Sequence, residues 1–408
     1  MLDAPAIDVT RPVDWTAWAD DPYPLYRRLR DEAPVYWDDP NQTYVLTRHD
    51  DVYAVLMDHE RYSSVPLDIL EGRQPPTSEI RQQDEPRHRF IRNTVGPLFN
   101  PPAMRRREDV IRTIVRDLVD RSEEHEVVEV STMLATPLPA AVVLGLIGLP
   151  LEQHDAFHRL MEERLAFLLT RGSRAESSPE ALARFAAIRA EMWEIVVPLI
   201  EARRRDPQPD AITRILETQD EVGKDELSDD VFLNMLLELV TGGFETTQHL
   251  IESLLDHVCD RPELWARLRA ERELVPKAIE EMLRFRSPTQ ALGRRPVEEV
   301  ELHGTRIPAD GWVTVVYGSA NRDEREFPDP DTFDVDRELR RHVAFSVGVH
   351  YCPGAPVSRA ETRILLDELL DRYASTERVG PSVPNANPMP GKVGKILGWG
   401  RVPVRFVR

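Results

Sequence analysis

The chain has 408 residues, is 41% hydrophobic and carries a formal net charge of −19, a balance that repels nucleic acid and anionic membrane surfaces and argues against either as a partner. Its two cysteines, Cys259 and Cys352, lack Cys-x-x-Cys spacing, which excludes a disulfide framework and a zinc site and fits a reducing compartment. Met1 to Asp20 shows no positive start followed by an apolar core, and no apolar run is long enough to span a bilayer, so a soluble, cytoplasmic protein is expected.

Length alone would allow two or three domains, but no Gly/Ser tract, repeat or low-complexity block divides the chain. A single domain over residues 1–408 is the simpler expectation. The 34 prolines imply many sharply bounded helices and loops. Asp21-Pro22-Tyr23-Pro24 opens an amphipathic run through Leu25, Leu29 and Ala33, which reads as a short helix. The β-branched and aromatic stretches Pro34–Trp37 and Thr43–Thr47, separated by turn-forming Asp38-Asp39-Pro40-Asn41, read as a hairpin.

His88 and Arg92 stand one helical turn apart in Asp84-Glu85-Pro86-Arg87-His88-Arg89-Phe90-Ile91-Arg92, a spacing that lets one helix face hold a carboxylate. From Val127 to Gln219 the chain is periodically helical without a chemical motif; Phe157, Met161, Leu165, Phe167 and Leu168 suit either a pocket lid or ordinary core. A long helix is expected from an N-cap at Ser228 to about Asp256, roughly 40 Å in length. Its middle reads Thr241-Gly242-Gly243-Phe244-Glu245-Thr246-Thr247. Adjacent mid-helix glycines each cost about 1 kcal/mol, which calls for a kink or the close approach of a ligand. Glu281 and Arg284 are spaced for an ion pair within the helical run Lys277 to Phe285. Ser287 to Leu292 leaves that helix extended. Near the C-terminus, Ile396–Gly400 and Val402–Val404 read as a strand pair with a glycine turn.

The most informative stretch is Phe345-Ser346-Val347-Gly348-Val349-His350-Tyr351-Cys352-Pro353-Gly354. Glycines on either side of the cysteine permit close approach of the backbone to a flat ligand. The helix beginning just after it, read from Val357 to Tyr373, would turn its positive end toward a thiolate. The pattern Phe345-x-x-Gly348-x-His350-x-Cys352-x-Gly354 resembles the haem-binding signature of the cytochrome P-450 family, whose cysteine thiolate is the proximal ligand of haem iron. Two positions depart from it: Ser346 replaces a usual glycine, and Pro353, which has no N–H to give the sulfur, replaces a usual aliphatic residue.

The same resemblance runs from about Asp21 to the end. Asp84-x-Pro86-x-His88-x-x-x-Arg92 is similar to the family helix whose His and Arg hold haem propionates, and Arg294 aligns with a further propionate-binding arginine, which implies that Gln290, Ala291 and Leu292 border the substrate. Gly242-Gly243-Phe244-Glu245-Thr246 resembles the element above the distal haem face, which implies that Glu245 and Thr246 relay protons to oxygen. Glu281-x-x-Arg284 resembles the family's structural pair, and with Thr332 where the third partner usually stands, Arg337 is the expected substitute. The resemblance implies a mostly α fold with a small β region (α+β), haem b between a long distal helix and a proximal cysteine loop, and a monooxygenase that uses dioxygen to hydroxylate or dealkylate a small apolar substrate. With no flavin or iron–sulfur motif in the chain, electrons would come from a ferredoxin and its NAD(P)H-dependent reductase, docked near Arg87 and Arg89. A peroxide-driven peroxygenase and a non-catalytic haem sensor or carrier are the alternatives, and the acid–alcohol pair Glu245-Thr246 speaks against the first.

Overall fold

The computed structural model describes residues 12–71, 80–154, 156–157, 159–161, 163–164, 179–338, 341–385 and 396–408. Helices dominate, with a small five-stranded sheet and three shorter ones among the described residues. None of the described helices is long and apolar enough to cross a membrane.

The expected first helix is Tyr23–Glu32, which buries Leu25, Tyr26 and Leu29 on one face. The hairpin follows, with Val35–Asp38 antiparallel to Thr43–Leu46 and Val35 opposite Leu46. Thr43–Leu46 then pairs in parallel with Val313–Val316, which pairs antiparallel with Ala291–Pro296, and Tyr62–Ser63 closes the far edge. This sheet fixes Arg294 on a strand opposite Val313.

Helices Pro101–Ser122, Glu245–Cys259, Leu274–Phe285 and Ala355–Arg372 share one apolar core that includes Ile111, Leu250, Leu254, Ile279, Ile364 and Leu365. A second core joins Phe157 and Met161 to Leu236, Leu237 and Val240, so these two residues are packing side chains. Leu165, Phe167 and Leu168 lie outside the described residues.

Two expectations need correction. The long helix starts where expected, with the Ser228 hydroxyl accepting from Val231 N, but it is two helices, Asp229–Gly243 and Glu245–Cys259, parted at Phe244 (φ −86°, ψ −76°). The adjacent glycines weaken the helix there, and Thr246 Oγ1 donates to the Gly242 carbonyl at 3.0 Å, a local bond that competes with the backbone ladder. The C-terminal strands are real but are not partners. Trp399–Arg401 pairs with Val383–Pro384, whereas Pro403–Val407 lies between Val128–Glu129 and Ser375–Arg378. Apolar alternation marked these residues as strands and carried no information on which distant segment would complete each ladder.

The Glu281–Arg284 pair is buried, with each side chain no more than 4% exposed. Its two bonds measure 2.7 and 2.8 Å, and Arg284 also donates to the carbonyls of Asn321, Pro330 and Thr332. Arg337 is the third member, its Nε 3.2 Å from Glu281 Oε1. Replacing one partner leaves the other charge buried without compensation, a loss of about 3–5 kcal/mol. Glu281→Gln is therefore expected to lower the unfolding free energy by that amount in denaturant titrations; a loss of about 1 kcal/mol or less, as for a surface pair, would contradict this account.

Candidate functional site

Cys352 follows a tight loop. Its N–H donates to the Phe345 carbonyl at 2.9 Å, and Ser346 N donates to Val343 O at 2.8 Å. Gly348 takes φ +68° and Ser346 takes φ +59°, a left-handed conformation that disfavours side chains and explains why a glycine would be more comfortable at Ser346. Directly after the cysteine, Ala355–Arg372 begins as a helix with Pro356 in its first turn. Burial pushes the Cys352 thiol up, while the N–H groups of Gly354 and Ala355, and the charges of Arg92 and Arg359, act in the opposite direction. Pro353 contributes no donor, so the sulfur meets the helix end through the next two amides. A Cβ on Gly354 would lie 3.8 Å from the sulfur.

Beside this loop the structure brings together His88, Arg92, Arg294 and His350. Helix Arg87–Val95 presents His88 and Arg92 one turn apart. The His88 and His350 rings lie 4.3 Å apart, and Arg92 Nη1 donates to the Tyr351 carbonyl at 2.6 Å. Burial, then Arg294, His88 and Arg92, push His350 down to about 2, and His88 is lowered chiefly by burial. For both rings the shift favours the neutral form. His350 Nε2 lies 2.9 Å from the Ser64 hydroxyl, whose backbone N–H is held by Asp84 Oδ1 at 2.8 Å. His88 Nδ1 faces Glu85 at 3.2 Å, while its Nε2 is buried without a hydrogen bond. Among the described residues no carboxylate pairs with Arg92 or Arg294; both guanidinium groups donate to backbone carbonyls. The cluster is a cradle for an anionic ligand set against a sulfur donor.

Gly242, Gly243, Glu245 and Thr246 form a second group, at the helix break. Space is open over Gly242, whereas a Cβ on Gly243 would come 3.1 Å from Val143 Cγ2, so tight helix packing is sufficient reason for that glycine. No hydrogen bond or ion pair among the described residues joins this group to the cysteine cluster, although helices Glu245–Cys259 and Ala355–Arg372 are in contact. Gln290 is turned into the protein: it is 1% exposed, its amide donates to Ser287 O at 2.6 Å, and it fills the space beside Gly318. Arg87 is paired with Glu226 at 2.7 Å and Arg89 with Glu85 at 3.1 Å, so neither is a free cation.

Sequence reasoning missed His249 and Glu252. His249 is fully buried, with Nδ1 2.6 Å from Glu252 Oε2 and Nε2 3.9 Å from Glu245 Oε1. Burial pulls this ring's pKa down, but the two neighbouring carboxylates, Glu245 nearby and Glu252 in hydrogen-bond contact, outweigh it and push it up to about 9. Glu252 also accepts from Trp399 N at 3.2 Å and from Gln248 Nε2 at 3.0 Å. The chain passes so close that a Cβ on Gly398 would fall 2.0 Å from His249 Nδ1. The signal was present as Glu245-x-x-x-His249-x-x-Glu252, three ionisable groups at i, i+4 and i+7 on one helix face.

The family model for cytochrome P450s, written here cytochrome P-450, matches residues 25–395. The cytochrome P-450 monooxygenase PikC of Streptomyces venezuelae is 33% identical over 409 residues, covering 96% of this chain and 92% of that protein. The erythromycin C-12 hydroxylase of Saccharopolyspora erythraea is 32% identical over 348 residues, covering 85% of each. Among solved structures, CYP109E1 from Bacillus megaterium in complex with testosterone superposes with a TM-score of 0.81 at 29% identity, covering 94% of this chain and 99% of that one.

The left-handed backbone at Ser346 supplies a test of the cysteine loop. Ser346→Gly is expected to raise the unfolding free energy by roughly 0.5–1 kcal/mol, the strain relieved less the greater freedom of glycine when unfolded. Calorimetry showing no gain would mean that the loop is not strained at this position.

Proposed function

The chain belongs to the cytochrome P-450 family, and from that membership we propose that Cys352 would hold a haem through its thiolate and that His88, Arg92, Arg294 and His350 would hold its propionates. The protein is a haem b-binding oxidoreductase of the monooxygenase type. The residues present fit that group. The buried, unpartnered Nε2 of His88 and the two guanidinium groups without a carboxylate carry the assignment, because such donors are stable in a folded chain when an anion completes them. Phe345, whose ring lies 4.6 Å from the Arg359 guanidinium, and Gly354 shape the sulfur side.

When bound, haem supplies the redox chemistry that activates dioxygen, with the thiolate raising electron density at iron. The protein's own share is proton handling, positioning and the exclusion of water. Thr246 Oγ1, held on the Gly242 carbonyl, and the half-buried Glu245 carboxylate sit at the break in the distal helix, where a proton can be passed by hydroxyl and carboxylate. Gly242 leaves the helix surface open beside them, while Gly243 sets the contact with Val143.

The substrate is an apolar organic molecule that is hydroxylated or dealkylated, and a solved relative that binds testosterone makes polycyclic and terpenoid compounds the first class to examine. Electrons come from a separate ferredoxin and its reductase in the cytoplasm, since the sequence contains no flavin or iron–sulfur motif of its own. All of this is the work of one domain.

Two measurements test the reading. The reduced carbon monoxide complex should show the red-shifted Soret band of thiolate ligation, and Cys352→His should abolish it; an imidazole-type band in the unsubstituted protein would refute the ligand assignment. Thr246→Ala should retain haem yet divert reducing equivalents to hydrogen peroxide, lowering product per reductant several-fold with whichever compound gives the largest spin-state shift in a steroid and macrolide screen. Full yield in that variant would reduce Thr246 to helix structure.

A further inference from the structure

The distal carboxylate is not left to solvent. Glu245 shares its helix face with His249 and Glu252, and the three side chains form a row that ends on the backbone of Trp399. The ring is fully buried and its nitrogens serve two different acids: Nδ1 is bonded to Glu252 at 2.6 Å, and Nε2 faces Glu245 Oε1 at 3.9 Å. On the other side, Asn385 Nδ2 lies 3.2 Å from Nε2, and Gly398 closes over the ring. Arg286 lies over the Trp399 ring at 4.5 Å.

We propose that His249 is a positioning residue that holds the Glu245 carboxylate toward the distal site, with Glu252 fixing the ring and the 396–399 segment fixing Glu252. The inference rests on the reading of Glu245 as the distal acid. Its physical basis is that an imidazole with one nitrogen locked has one remaining orientation, so Nε2, which also meets Asn385 at 3.2 Å, keeps a fixed approach to the neighbouring acid at 3.9 Å. Glu252, with oxygens engaged by His249, Gln248 and the Trp399 amide, cannot turn to release the ring without breaking several bonds together. A carboxylate held at one oxygen keeps the other for a water or hydroxyl, whereas an unheld one samples several rotamers.

Two amide substitutions separate positioning from structure. Asparagine places its N–H₂ near the Nδ1 position and keeps the bond to Glu252; glutamine reaches the Nε2 position and keeps the approach to Glu245. Stability should follow the Glu252 bond and proton delivery should follow Glu245. The full holoprotein is reduced with NADPH, a surrogate ferredoxin and its reductase, without added substrate. Under these conditions two electrons and two protons convert dioxygen to hydrogen peroxide, and four of each convert it to two waters. The expected result is that His249→Asn, which keeps the bond to Glu252, loses less melting temperature than His249→Gln but raises peroxide per NADPH at least twofold. His249→Gln should melt lower yet stay near the unsubstituted ratio. Glu245→Gln is the control, expected to raise peroxide as much as His249→Asn, with the double variant no worse than either single one.

If His249→Asn leaves the ratio unchanged while Glu245→Gln raises it, the positioning role is wrong and the distal acid stands. If both His249 variants raise peroxide in proportion to their loss of stability, the ring is structural and the proposal fails. If Glu245→Gln itself changes nothing, the distal-acid reading falls and takes this inference with it.

Discussion

A carboxylate and a guanidinium three residues apart, both withdrawn from water, hold the proximal half of this protein in register. Glu281 and Arg284 sit on the same helix, so their ion pair alone could constrain nothing beyond that helix. The constraint comes from the donors left over: Arg284 reaches the carbonyls of Asn321, Pro330 and Thr332, Glu281 accepts from Asp334 N, and Arg337 joins from the far side. Asn321 then passes the restraint onward, its Oδ1 accepting from Val343 N at 2.7 Å, two peptide bonds before the loop that turns into Cys352. The ligand role proposed for Cys352 needs a sulfur at a fixed position, and the position of its loop traces back through carbonyl oxygens to one buried charge pair.

The distal half uses the opposite device. Instead of charge locking loops, a weak point in a helix is preserved: two glycines and a side-chain hydroxyl that bonds backward give the break at Phe244. The row of ionisable groups Glu245, His249 and Glu252 starts at that break and runs along the next helix to the C-terminal strands. One half of the protein is thus ordered by using up the donors of Arg284, and the other by leaving a local gap in the ladder.

What could be seen in the sequence followed the range of the interactions involved. Motifs that live on one helix or one loop were legible: the Ser228 cap, the one-turn spacing of His88 and Arg92, the internal pair Glu281–Arg284, and the loop around Cys352. Arg337 was reachable because the missing third partner left a charge requirement that few nearby residues could meet. The pairing of the last strands was not legible, since neither pairs with the other: Trp399–Arg401 skips back to Val383–Pro384, and Pro403–Val407 lies between Ser375–Arg378 and the remote Val128–Glu129. Nor was the turn of Gln290 into the protein, which depends on the space beside Gly318, or the match of Arg87 to Glu226, which lies 139 positions away. The His249 row fell between these cases: its spacing was visible, but only the passage of residues 396–399 over the ring makes it a buried network.

The seating of side chains against bare backbone limits how this protein can change. The indole of Trp312 occupies the space where Gly293 would carry a Cβ, at 1.9 Å, just as His249 does beside Gly398. Any side chain at either glycine must expel a ring already in place, and shrinking the ring alone leaves an unfilled hole. Single steps in both directions are therefore disfavoured, and divergence at these two contacts has to proceed by paired exchanges. Directed evolution toward new substrates will meet the same barrier, and will progress faster where one residue can vary without its neighbour's consent.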